Sequence, residues 1–340
     1  MKLALLTDTH FGVHKNSEVF LESQLRFFRE EFFPYLDANK IVTIIFLGDL
    51  FDNRTNINVR TMNAVYDLMK EINSKYTFHL ILGNHDLFFN SSNDVHSSKM
   101  FSEFKNIKIY EKQHSEPFNH TEFFPWNTIK DSKPEELELG SLAFGHFDIC
   151  SFNMNKFKTT EVGLNPKLFS TFKLVFSGHF HTRSIRKIEN TEFVYVGSPY
   201  QLTRIDTGEE RGFCILDNET LTYEFINTTK TIKYVKLNFP ETITEEMIKG
   251  NIVDVHVKYD STYDDNDLKK YIEKIVSFNP VGEVTTKIDN SVLDSIEITE
   301  KMTSVEGLIE EYVKQLEIGD KDEIRKIIYE LFDETKETNV

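Results

Sequence analysis

Asp, His and Asn recur at one kind of place in this 340-residue chain: just past a short apolar run, usually with a glycine between. The runs are Leu3-Ala-Leu-Leu-Thr-Asp8-Thr-His10, Ile44-Ile-Phe-Leu-Gly48-Asp49-Leu-Phe-Asp52, Phe78-His-Leu-Ile-Leu-Gly83-Asn84-His85-Asp86, Leu142-Ala-Phe-Gly145-His146 and Leu174-Val-Phe-Ser-Gly178-His179-Phe-His181. One such run is an ordinary way to leave a sheet. Five would bring carboxylate, imidazole and amide donors to one locus, because open α/β sheets place ligand sites beyond the carboxyl ends of their strands. Asp8, His10, Asp49, Asn84, His146, His179 and His181 are too many donors for one divalent ion. They suit two ions sharing one carboxylate, an arrangement used for in-line displacement at phosphorus. His85, Asp52 and Asp86 stand beside them, and Asp86 reads equally well as a cap of the turn that follows. His14, His79, His96, His114, His120 and His256 match no ligand position and read as satisfied core or surface residues.

The elements that must carry these residues are legible from periodicity. Phe20, Leu21, Leu25, Phe28 and Phe32 fall on one face of a helix predicted over 17–38, with Pro34 near its end. A strand over 42–47, a helix over 58–72 and a strand over 78–82 complete a β-α-β-α-β start with a parallel sheet and right-handed crossovers. The signal weakens from 90 to 133, where a short helix at 99–104 and strands at 107–110 and 122–124 are expected. Strands ending at His146 and His179, another at 192–196 and a hairpin of 213–216 with 222–226 follow. This order suits an α/β fold of two facing sheets with helices outside, a four-layer α/β/β/α sandwich over residues 1–230. A shift in composition near 228–236 opens a small α+β domain over 231–300, with strands at 235–237, 252–259, 283–287 and 296–298 and a helix at 267–278. Residues 301–340 carry two amphipathic helices, 303–316 and 320–332, with apolar stripes that include Leu308, Ile309 and Tyr312 and then Ile324, Ile328 and Leu331.

The net charge of −16 argues against a protein that holds long nucleic acid by a basic surface. Its distribution qualifies that. From Glu241 onward lie 25 acidic and 12 basic residues, a balance of −13 that leaves only −3 for the first 240. No apolar run approaches the roughly 20 residues of a membrane span. The N-terminus enters a strand directly, so a cytoplasmic chain is expected. Cys150 and Cys214, the two cysteines, show neither disulfide nor metal-clip spacing and read as small core residues.

The ordered set Asp8-x-His10, Gly48-Asp49-x-x-Asp52, Gly83-Asn84-His85-Asp86, Gly145-His146 and Gly178-His179-x-His181 resembles the calcineurin-like metallophosphoesterase superfamily. Within it, Gly178-His-Phe-His-Thr182, Lys287-Ile-Asp-Asn-Ser-Val292 and Glu310-Glu-Tyr312 resemble the SbcD-type nuclease subunits, including those of T-even bacteriophages. The resemblance implies that Asp8, His10, Asp49 and His181 hold one divalent ion and that Asp49, Asn84, His146 and His179 hold the other, with Asp49 bridging. It implies Mn²⁺, while the donor types would also take Mg²⁺, Fe or Zn²⁺. His85 would then face the substrate as the proton donor to the leaving oxygen or as a hydrogen-bond donor to the transition state, with the Asp52 carboxylate orienting it. Lys15, Arg54 and Arg183, and less directly Arg186 and Arg204, are candidates for DNA phosphates, though a solvated cation is the commoner fate of such side chains.

The same resemblance implies a duplex exonuclease and single-strand endonuclease in recombination, repair and recombination-dependent replication. Its chain would be a homodimer within a heterotetramer, with an SbcC-like ABC-type ATPase whose coiled coil is gripped by Leu308, Ile309, Tyr312, Ile324, Ile328 and Leu331. If encoded by a phage, it would work in the host cytoplasm. Two rivals remain: a phosphatase or small-molecule phosphodiesterase with the same metals, and a non-catalytic subunit that organises the ATPase.

Overall fold

In β1 (Lys2–Leu6), Leu3 and Leu5 point to one face and Ala4 and Leu6 to the other, as the two-residue period of a strand requires. All four are buried, so this strand is covered on both sides, and the layers of the molecule follow from that requirement. The computed structural model describes residues 1–89, 91–116, 120–129, 140–258, 265–289, 313, 321 and 324–329. After β1 come β2 (Thr43–Phe46), β3 (Thr77–Ile81), β4 (Ile107–Tyr110), β5 (His114–Glu116), β6 (Thr121–Phe124) and β7 (Gly140–His146). A small hairpin of β8 (Asn153–Asn155) and β9 (Lys158–Thr159) precedes β10 (Phe172–Gly178), β11 (Ser184–Ile188), β12 (Thr191–Tyr195), β13 (Gly212–Asp217) and β14 (Thr222–Asn227).

Two six-stranded sheets result. The first runs β14-β13-β1-β2-β3-β4, with β1 to β4 parallel and the β13–β14 hairpin antiparallel at one side. The second runs β11-β12-β10-β7-β6-β5, parallel in its four central strands and antiparallel at both edges. Leu3, Leu5, Ile45 and Leu47 of the first sheet side share one core with Leu142, Phe144, Leu174 and Phe176 of the second, so the sheets face each other. Ala4, Leu6, Ile44 and Phe46 point the other way and pack under the helices, against Phe28, Phe32, Val65 and Met69. The outer face of the second sheet, Ala143, Val175 and Phe193, is covered among the described residues by Phe147, Ile149 and Phe152 and by the 3₁₀ turn Pro166–Phe169.

The first helical stretch spans the expected length but is not uniform. It is α-helical over Glu18–Phe27, widens to a π turn over Phe28–Phe32 and resumes over Phe33–Ala38. Pro34 has no N–H to donate and its ring crowds the carbonyl four residues back, so the wide turn lies where an α-helix would clash. The second helix, Val59–Lys75, starts where Asn58 accepts from the Arg60 N–H at 2.8 Å. In place of the short helix expected at 99–104, a 3₁₀ turn occupies Ser97–Phe101.

The chain divides into two compact units, one of residues 1–235, 245–253 and 279–283, the other of 236–244, 254–278 and 284–340. Residues 245–253 and 279–283 thus group with the first unit. The remaining strands, β15 (Tyr234–Phe239), β16 (Ile252–Lys258) and β17 (Thr285–Asp289), form a three-stranded sheet in that order, and a helix covers Asp265–Ser277. The strand expected at 296–298 lies outside the described residues.

Candidate metal centre

The ends of β1, β2, β3, β7 and β10 lead into the five motifs, and the first two loops are tied together: the Asp8 N–H donates to the Gly48 carbonyl at 2.9 Å and the His10 N–H to the Asp49 carbonyl at 3.2 Å. Glycine is required where these loops meet. Gly48 has φ +104°, and a Cβ there would lie 2.5 Å from His146 Nδ1; a Cβ on Gly83 would lie 2.2 Å from Asp49 Oδ1. Asp8, His10, Asp49 and His179 themselves adopt left-handed φ values of 50°, 44°, 61° and 89°. Such conformations cost on the order of 1–3 kcal/mol each and persist where surrounding structure enforces them, typically at functional sites.

Three groups of side chains converge: Asp8 with His10 and His181, Asp49 with His146 and His179, and His10 with Asp52 and His85. His10 Nε2 and His181 Nε2 are 3.0 Å apart, and both face Asp8 Oδ1, at 3.8 and 4.0 Å. In the second group Asn84 Oδ1 lies 3.1 Å from His146 Nε2 and 2.9 Å from His179 Nδ1, with Asp49 Oδ2 at 3.3 Å from the former. Asp49 Oδ2 is also 3.8 Å from His10 Nε2, so one carboxylate oxygen faces both groups. Its other oxygen accepts the His85 N–H at 2.8 Å. Donors about 2.0–2.2 Å from a transition-metal ion stand roughly 3–4 Å from each other, the range found here.

Proton placement points the same way. His146 Nδ1 is 2.7 Å from the Leu47 carbonyl, which can only accept, so Nδ1 carries a hydrogen and a neutral ring turns its Nε2 lone pair toward Asn84 and Asp49 oxygens. Lone pairs so disposed need a cation or a proton between them. Without a metal it is a proton: burial works against the charged ring, but Asp49 outweighs it and pushes His146 up to about 9. Burial is opposed at His10 as well, where Asp8, Asp49 and Asp52 raise the imidazole above its ordinary value. His179 is pushed down to about 3 by burial and by the neighbouring His146. The residues present therefore fit two cations sharing Asp49, and O and N donors without thiolate suit divalent ions of the Mn²⁺, Fe or Zn²⁺ kind.

Residues 1–221 match the model of the calcineurin-like phosphoesterase superfamily domain. The chain belongs to that superfamily. It is 30% identical over 345 residues to exonuclease subunit 1 of Enterobacteria phage T4, covering 97% of both chains. It is also 22% identical over 287 residues to putative phosphoesterase 078R of Invertebrate iridescent virus 3, covering 80% of this chain and 75% of that one. Among solved structures, a novel archaeal phosphodiesterase aligns with 67% of this chain and all of its own at 12% identity, with a TM-score of 0.35. As a member of the calcineurin-like phosphoesterases, the chain is a phosphoester hydrolase that works with divalent metal ions.

Around the superfamily's donor set the structure corrects some details. The Asp52 carboxylate does not orient His85. His85 Nδ1 is 2.6 Å from the backbone carbonyl of Asp52, whereas the Asp52 carboxylate stands 3.6 Å from His10 Nδ1, a buried nitrogen without a hydrogen-bond partner. Asp86 is a brace. Its carboxylate accepts from the backbone N–H groups of Asp49, Gly83 and Leu50 at 2.9–3.1 Å, joining the loops that carry Asp49 and Asn84. Arg183 packs its guanidinium 4.0 Å from the Phe225 ring centroid and donates through Nη1 to Asn227 Oδ1 at 3.0 Å, while its Nε and Nη2 are buried without a hydrogen-bond partner among the described residues. Arg186 donates to the Ser151 carbonyl and Arg204 lies over the Tyr234 ring. Lys15 is exposed in a left-handed turn after His10, and Arg54 is half-buried.

Of the tail residues, Ile324 and Ile328 are helical, while Leu308, Ile309, Tyr312 and Leu331 lie outside the described residues. Two neighbours of the site carry no sequence motif. Trp126 has its ring 5.0 Å from that of His179 and 5.8 Å from that of His146. Buried Arg211 pairs with Asp206 and Glu209 at 2.7 Å, and Glu209 accepts from Thr182 beside His181. A run such as Glu209-Glu-Arg211 looks like surface, and nothing in its spacing signals burial.

Proposed function

We propose that this chain is the nuclease subunit of a two-component DNA-processing complex, hydrolysing phosphodiesters at duplex ends and in single strands with Mn²⁺, alongside a coiled-coil ATPase of the SbcC type. The observation that carries the reading is the 30% identity with a phage chain named exonuclease subunit 1, which extends over 97% of each and so includes the acidic tail as well as the donor set. Asp8, His10, Asp49 and His181 would hold one ion and Asp49, Asn84, His146 and His179 the other. Bound there, divalent ions would neutralise charge building on the phosphate oxygens and activate water.

The chain's own residues do the rest. Asp86 and the glycines hold the loops so that the donors already face one another. His85 is held through its Nδ1–H on the Asp52 carbonyl, so Nε2 would give a proton to the departing oxygen from the doubly protonated ring. The first 240 residues carry no net excess of basic side chains, which suits a subunit that relies on a partner to hold long DNA.

The test is cleavage of end-labelled duplex, circular single strand and bis(p-nitrophenyl) phosphate by the purified chain with Mn²⁺, with and without EDTA. Metal-dependent cleavage of DNA is expected; turnover of phosphate monoesters with DNA left intact would establish a phosphatase instead. Leu308→Glu with Ile328→Glu charges both apolar stripes of the tail and should abolish co-elution with the ATPase while sparing the small ester. Normal co-elution would move the partner surface elsewhere.

A further inference from the structure

Beside His146 the described residues line a cavity of about 330 Å³ that the donor set leaves unused. Its wall includes Trp126, Ile129, His146, Phe147, Asp148 and Val162. Trp126 is the chain's only tryptophan. Its N–H donates to the Leu82 carbonyl at 2.8 Å, which ties it to the strand end that delivers Asn84, and its indole reaches both His146 and His179. Another part of the lining is pinned: the Leu164 N–H donates to the Asp148 carbonyl at 2.6 Å and the Cys150 N–H to the Leu164 carbonyl at 3.0 Å. Val162 of the lining is 78% exposed.

We propose that this cavity is a nucleobase subsite, which takes the base of a nucleotide adjoining the scissile phosphodiester with the Trp126 indole as its stacking surface. The inference rests on the nuclease reading and names what that site would recognise beyond phosphate. Three observations favour a base. The volume is at the small end for ligand pockets, enough for one ring system and too little for a larger ligand. Asp148 in the wall places a negative charge there that disfavours a phosphate, so the charged and neutral parts of one nucleotide would separate between the metal centre and the cavity. His146 belongs to both sites, so a group in the cavity lies against the reacting centre. Because every base has a π face, stacking of this kind is tolerant of sequence.

The sole tryptophan makes binding directly readable. Thymidine 5′-monophosphate should quench the intrinsic fluorescence of the Mg²⁺-loaded protein saturably, and 2-deoxyribose 5-phosphate, which lacks the base, should not. In turnover with Mn²⁺, p-nitrophenyl thymidine 5′-phosphate should exceed methyl p-nitrophenyl phosphate in kcat/KM by about tenfold or more, within what one base–aromatic stack contributes. Trp126→Ala should remove most of that preference, chiefly through KM, and Trp126→Phe should keep it. Taking the ratio of the two esters cancels any general loss from disturbing His146 or His179. Equal quenching by both ligands, or a preference that survives Trp126→Ala, would overturn the subsite. Equal hydrolysis of both esters by the wild-type chain removes the subsite and leaves the phosphodiesterase, whereas hydrolysis of neither removes both.

Discussion

On the side of Asp49, His146 and His179, the donors are held without help from an ion: His146 is buried, its Nδ1 is tied to the Leu47 carbonyl, and Asn84 Oδ1 stands within 3.1 Å of both imidazoles. On the side of Asp8, His10 and His181 the hold is weaker. His10 Nδ1 has no hydrogen-bond partner, His181 is one-third exposed, and the Asp8 oxygen lies 3.8–4.0 Å from both rings. A ring whose far nitrogen is fixed by a carbonyl needs less ordering when it binds a metal. The difference teaches that the two proposed ions should not be equivalent. If both ions bind as proposed, the Asn84 side should hold its ion longer and the His181 side should release its ion first.

The largest effect should come from the residue that both sides share. Asp49→Ala removes the oxygen facing both groups and should take metal content from two ions to less than one. Activity should fall by roughly 10³-fold, the scale of several kcal/mol of lost charge stabilisation. Loss of one ion only, measured by elemental analysis after gel filtration, would show that Asp49 belongs to a single site. The comparison is sharpened by chelation. Stepwise EDTA should release one ion before the other, and His181→Ala should abolish the early step while His146→Ala abolishes the late one; simultaneous release would put the two sides on a par.

His85 lies outside both donor groups in the proposed set, so its removal separates chemistry from metal binding. His85→Gln should keep both ions and the fold and lose about 10²-fold in DNA cleavage, the contribution of a positioned general acid. A fall in metal content with activity would make His85 a ligand.

The donor loops are legible because their signal is local: an apolar run and then a donor, repeated five times and in four of them with a glycine between, with β-α-β spacing among the first three. Trp126 is not, since it follows a stretch with weak periodicity and reaches His179 only through a long-range contact. Edge strands β5 and β11 are short and mostly polar, which leaves little alternation to read. The role of Asp86 depends on three backbone donors, two of them brought over from the loop after β2, and no local pattern announces such a bond set. Nor does sequence distance reveal that Arg183, two residues past His181, lies against an aromatic ring and an amide of β14.

Asp52 supplies the smallest and most discriminating test. Two of its groups serve two different histidines: the backbone carbonyl meets His85 Nδ1 at 2.6 Å, and the carboxylate sits 3.6 Å from His10 Nδ1. Asp52→Asn keeps the carbonyl and removes only the charge. His85 should then stay in place, and the loss should appear on the weaker side, as earlier release of the exchangeable ion and roughly a tenfold drop in activity, the low end for a group that supports a metal-binding imidazole. Raising the metal concentration should restore most of that drop, because occupancy is what the carboxylate assists. If the variant instead keeps both ions through the EDTA series and falls as far as His85→Gln, the carboxylate acts on His85 after all, and the asymmetry between the two sides would have to rest on exposure of His181 alone.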